Sequence, residues 1–147
     1  MGLSEIKKGG ASELVEASSE VVTAGQDWAG VAYIDPDAIG ANPTAKIYPD
    51  GSIVGSTDNG SYTKYPNSMI LIGATYAASG TAFLAITYPI KLINASYTVS
   101  LSMSTNDYSD YIAKHTLKTV DGISFATKTG TSFFAVPTDI MILGKWK

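Results

Sequence analysis

The chain has 147 residues and a formal net charge of −3, and only 16% of its residues are charged, against about 25% in an average soluble domain. It holds no Cys, no Arg and one His, but 16 Ser, 15 Thr, 14 Gly and 9 Tyr, so hydroxyls and amides rather than charges must wet its surface. This excludes a disulfide framework, a Cys nucleophile, thiolate zinc sites and an intrachain His-rich metal cluster. It also argues against phosphate-tracking nucleic-acid binding.

All four Glu (Glu5, Glu13, Glu16, Glu20) fall in the first 20 residues, and every later acid is Asp. Glu favours helices and Asp favours turns, so the composition splits the chain. Residues 1–24 read as an N-terminal connector, either a short helix over 11–22 or a disordered leader. Lys7 and Lys8 are followed by no apolar stretch, which is not the pattern of a secretory signal peptide. The apolar runs, Met69 to Ile72 and Ala82 to Ile86 among them, are far shorter than the roughly 20 residues of a membrane-spanning helix, so no membrane insertion is expected.

From Gly25 onward the pattern is β. Lys46 to Tyr48 and Ser52 to Val54 flank Pro49-Asp50-Gly51, where Pro fixes φ and Gly accepts a positive φ. Ser68 to Ile72 reads as a strand ending at Gly73, and Thr81 to Tyr88 as one stopped by Pro89. In Tyr97 to Thr105, the residues Tyr97, Val99, Leu101 and Met103 alternate with Thr98, Ser100, Ser102 and Ser104. That period of two means one buried and one hydroxylated face. Leu117 to Val120 and Ile123 to Ala126 read as a tight hairpin about Asp121-Gly122. Thr131 to Val136 and Asp139 to Trp146, separated by Pro137, close the chain. Short strands with turn chemistry between them predict an all-β, antiparallel sandwich or barrel.

Motifs for catalysis are absent: the sequence has no G-x-S-x-G, no G-x-G-x-x-G, no Walker loop and no H-E-x-x-H. Asp35-Pro36-Asp37 reads as a rigid turn in preference to a metal or acid–base pair. Thr57-Asp58-Asn59-Gly60 lacks the later ligands of a calcium loop and reads as a turn. His115 reads as a polar residue at a strand edge, although a symmetric oligomer could bring copies of it round an axis to hold a metal ion. No enzyme activity and no cofactor is expected.

Residues 46–147 resemble the C-terminal knob of a bacteriophage tail fibre and the approach to it. The likeness is carried in order by Lys46 to Pro66, Tyr65-Pro66, Met69 to Gly73, Gly80-Thr81, Tyr88-Pro89, the alternating strand from Tyr97 to Thr105, and Ile142-Leu143-Gly144-Lys145-Trp146. The chain departs from the family pattern at Asn67-Ser68, where a Gly is common, and at Tyr88-Pro89, where Phe-Pro is common. The resemblance implies a β-rich neck or fibre segment over 25–64 and a C-terminal β-sandwich knob over 65–147. It implies a homotrimer joined to other tail proteins through its N-terminal side. The family's task is to attach the virion, non-covalently, to a bacterial surface glycan or outer-membrane protein. A carbohydrate-active, depolymerase-type fibre domain and a purely structural virion or baseplate protein are the alternatives. The first 22 residues, foreign in composition, fit a piece of a longer fibre. The apolar content of 45% exceeds what one small sandwich needs, and Ile70, Ile72, Phe83, Ile86, Ile140 and Ile142 are expected to supply faces for neighbouring subunits.

Loops carry recognition while strands carry packing. One candidate receptor loop holds Asn106, Asp107, Tyr108, Asp110 and Tyr111, where rings for stacking on sugars sit among hydrogen-bonding side chains. A second candidate, at a turn between late strands, holds Lys128, Thr129, Thr131 and Phe133. Several copies on one particle would multiply weak contacts into strong attachment.

Overall fold

A computed structural model describes residues 30–104 and 111–147; the connector expected over 1–24 lies outside them. The described chain is all-β, without a helix. In order, its strands are β1 (Val31–Ala32), β2 (Thr44–Ile47), β3 (Ile53–Thr57), β4 (Gly60–Lys64), β5 (Met69–Ala77), β6 (Leu84–Thr87), β7 (Thr98–Met103), β8 (Ile112–Thr116), β9 (Gly122–Thr129), β10 (Ser132–Phe134) and β11 (Pro137–Lys145). Val31–Lys147 form one compact unit.

Seven strands make one antiparallel sheet in the order β1-β2-β3-β4-β5-β11-β7. The segment 31–64 thus continues the sheet that β5, β11 and β7 form. The second sheet is built on β9. Strand β8 pairs along one edge of β9, while β6 and β10 lie end to end along the other, β6 opposite 122–125 and β10 opposite 127–129.

The two sheets share one core, as the sandwich reading predicts. Strict alternation in β11 buries Thr138, Ile140, Ile142 and Gly144 and exposes the residues between them. Ile70 and Ile72 of β5 join Ile140 and Ile142 from the large sheet, and Ile86, Ile123 and Phe125 come from the small one. Fully burying each such side chain contributes about 1.5–3 kcal/mol. This corrects the expectation that Ile70, Ile72, Ile86, Ile140 and Ile142 face neighbouring subunits: they fill the subunit's own core. Only Phe83 of that set is exposed.

The stretch between β6 and β7 closes one end of the sandwich. Tyr88, Ile90, Leu92 and Tyr97 are all buried there. The Tyr88 hydroxyl donates to the Tyr97 hydroxyl at 2.9 Å, and the Tyr97 hydroxyl donates to the Thr119 carbonyl at 2.8 Å. Three contacts tie the 35–41 segment to this stretch: a bridge between Ala38 and Ile90, and the backbone bonds Ile39 N to Pro89 O and Lys91 N to Asp37 O.

Three local expectations change. The strand expected to end at Gly73 runs to Ala77, because Gly73 is held in ladders on both sides, opposite Ser61 and Met141. Leu117 to Val120 is not a strand. Leu117 takes φ 52° and ends β8, and the connection is tied elsewhere by Leu92 N to Val120 O and Tyr88 N to Asp121 O. Pro137 opens β11 instead of separating strands. At a first strand position its missing N–H costs nothing, and its carbonyl accepts from Ser104 N at 2.8 Å.

Candidate functional site

The first candidate loop falls mostly on Asn106, Asp107, Tyr108 and Asp110, which lie outside the described residues. Its last member, Tyr111, is half-buried, with its ring 4.7 Å from that of Phe134. The second candidate is fully described, and the small sheet sets part of it in one row with Ile112, the residue after Tyr111. Ile112 of β8 pairs with Lys128 of β9, and Lys128 pairs with Phe133 of β10. One row across three strands therefore carries Ile112, Lys128 and Phe133 on one face.

The β9–β10 connection is a short hairpin. Thr129 pairs with Ser132, and Gly130 takes φ 62°, the left-handed conformation that glycine adopts without steric cost. Thr129 and Thr131 are exposed at the tip. Nothing lies within 4 Å of where a side chain on Gly130 would project, so the tip is open. Below it, the Thr127 hydroxyl donates to the Phe134 carbonyl and fixes the hairpin's base.

Phe83 completes the patch. It stands just before β6, which ends where β10 begins along β9, so its ring meets Phe133 edge-on at 5.8 Å with an interplanar angle of 77°. The Lys128 ammonium lies 4.7 Å from the Phe133 ring centre and 5.9 Å from that of Phe83. Two crossed rings, a positive charge held by their faces and an exposed Ile112, with the open hairpin tip of Thr129 to Thr131 beyond them, make a surface for stacking and hydrogen bonding. Such a surface fits the apolar face of a sugar ring and its hydroxyls.

Asp35-Pro36-Asp37 forms a turn, with Asp37 N donating to Asp35 Oδ1 at 3.0 Å. The surroundings of Asp35 were not foreseen. Its carboxylate is buried, accepts from Lys64 Nζ at 2.9 Å and from the Tyr62 hydroxyl at 3.0 Å, and lies in the wall of a cavity of about 350 Å³. Burial first, and then the Asp35 charge, push the Tyr62 phenol well above its usual range. Every oxygen of Asp35 already has partners, so the cluster is a brace for the β1–β4 wing.

Thr57 to Gly60 is the expected turn between β3 and β4. Asp58 accepts from the Asn42 side chain, and the Asn59 amide bonds the Ile39 carbonyl at 3.1 Å. His115 stands exposed in β8, opposite Phe125 in register. Among the described residues no group of three or more His, Asp or Glu could hold a metal ion. No protein-family model, curated protein or solved structure matches the chain.

Proposed function

We propose that the protein is a receptor-binding tip of the tail-fibre type, which attaches a phage particle to a bacterial surface glycan or outer-membrane protein without covalent chemistry. The observation that carries this reading is the crossed Phe83–Phe133 pair beneath the Lys128 ammonium, at the open hairpin end of a small sheet. Charged residues make up only 16% of the chain, and hydroxyls of Thr98, Ser100 and Ser102 line the outward face of β7. The resemblance over residues 46–147 supports the same task, with three copies per fibre and other tail proteins bound through the N-terminal side.

The test is a pull-down of labelled protein on intact bacteria, with and without capsule or lipopolysaccharide. The wild type is expected to adsorb, and Lys128→Ala with Phe133→Ala is expected to abolish adsorption at an unchanged melting temperature. Release of reducing ends from host polysaccharide would make it carbohydrate-active instead. Failure to bind any cell or glycan would leave a structural virion protein.

A further inference from the structure

The outward face of β11 presents Asp139, Met141, Leu143 and Lys145 in succession. Met141 and Leu143 are 53% and 45% exposed. Neighbouring strands extend this line into rows. Thr63, Leu71, Leu143 and Thr98 form one row, Ser61, Gly73, Met141 and Ser100 the next, and Thr75, Asp139 and Ser102 a third. Lys145 pairs with Met69 on the other side. The face therefore has an apolar centre, a border of hydroxyls, an acid at one end and a base at the other. Gly73 leaves a gap beside Met141, part of a shallow groove of about 560 Å³.

We propose that this face stacks on the same face of a second copy of the chain, about a two-fold axis passing by Ile142. The argument is the order of the charges. Reversing β11 over itself puts Asp139 over Lys145 of the second copy, and Lys145 over Asp139. It also puts Met141 over Leu143 of the second copy, and Leu71 of the second copy over the groove at Gly73. Sheets stack at about 10 Å with strands within about 30° of each other, a gap that the Asp and Lys side chains span together. A parallel arrangement about a three-fold axis would instead gather Asp139 with its own copies and Lys145 with its own. The charge order thus selects the two-fold, isologous contact. Exposed ion pairs add little affinity; here they set direction, while the apolar centre supplies the attraction. The contact goes beyond receptor attachment and does not depend on it. In a three-copy fibre it would join two such assemblies.

Sedimentation equilibrium of the full chain tests it. Gly73→Val is the first variant. Gly73 is not in the left-handed region, and a Cβ there meets only Ser61 Oγ at 3.7 Å, so the fold accepts the side chain while the groove is filled. The assembly mass is expected to halve in Gly73→Val and in Asp139→Lys, with circular dichroism unchanged. It is expected to return in the swap of Asp139→Lys with Lys145→Asp. A wild type that sediments as one chain at its highest soluble concentration overturns the proposal. So does an assembly whose mass neither single variant changes, or a swap that fails to restore it. None of these readouts involves a receptor, so the outcome leaves the adsorption test independent.

Discussion

Lys64 Nζ lies 2.9 Å from the Asp35 carboxylate, and the two side chains are 2% and 1% exposed. The Tyr62 hydroxyl adds a third bond at 3.0 Å, while Asp37 approaches the same ammonium at 3.5 Å from the surface side. A buried ion pair gains less than its geometry suggests, because both charges leave water, yet removing one partner strands the other. Asp35→Ala is therefore expected to destabilise the protein by about 3–5 kcal/mol. Replacing both charges together, Asp35→Leu with Lys64→Met, is expected to cost less than Asp35→Ala alone. Urea denaturation of the three proteins checks this; a double variant as unstable as the single one would show that the pair itself supplies the stability.

The Tyr88–Tyr97 relay carries an asymmetry. Tyr88 only donates, to Tyr97. Tyr97 accepts that bond and also reaches the Thr119 and Gly122 carbonyls at 2.8 and 3.1 Å. Tyr97→Phe orphans a buried hydroxyl and leaves two carbonyls without this donor, whereas Tyr88→Phe removes one donor from a hydroxyl that keeps its own bonds. An unsatisfied buried group costs about 1–3 kcal/mol, so Tyr97→Phe should be the more damaging by at least about 1 kcal/mol. Equal losses of stability in the two variants would mean that the carbonyls find other partners.

The same burial predicts alkaline behaviour. Tyr62, Tyr76, Tyr88 and Tyr97 are all raised above the ordinary phenol value of 10.0, each chiefly by burial. A raised folded pKa means that the folded protein keeps protons the unfolded chain releases. The stability this supplies is complete below about pH 10 and falls as pH rises above it. Four of the nine tyrosines are expected to ionise only as the protein unfolds. Absorbance at the phenolate band, followed together with circular dichroism, should show that fraction appearing with the unfolding transition. Ionisation of all nine in a folded protein would contradict the burial.

Local chemistry made the hairpin at Pro49-Asp50-Gly51 legible: Gly51 takes φ 89°, and Asp50 accepts from Ser52 N at 2.8 Å. The alternation over 97–105 likewise gave the correct faces of β7. What failed was non-local. Gly73 looks like a strand end until its two ladders are known. Leu117 carries a positive φ that no Leu advertises. Lys64 spoils the alternation of Ser61-Tyr62-Thr63-Lys64 unless its buried partner, 29 residues earlier, is in view. At the candidate site the turn at Gly130 was readable and so were Lys128 and Phe133. Phe83 was not, because its place depends on two strands meeting end to end along β9.

Phe83 supplies the sharpest check of the patch. It makes an edge contact with Phe133 and shares the Lys128 cation with it, so the three side chains form one surface. Residues that act on one ligand in contact with each other lose binding non-additively. Phe83→Ala and Phe133→Ala are each expected to weaken cell adsorption by about tenfold or more, which corresponds to about 1.4 kcal/mol. The double variant should lose clearly less than the sum. Both rings lie at the surface, so thermal melting should move little in all three. If the two losses add in full, the rings contact the receptor separately; if Phe83→Ala leaves adsorption untouched, the binding surface lies towards Tyr111 and not across β9.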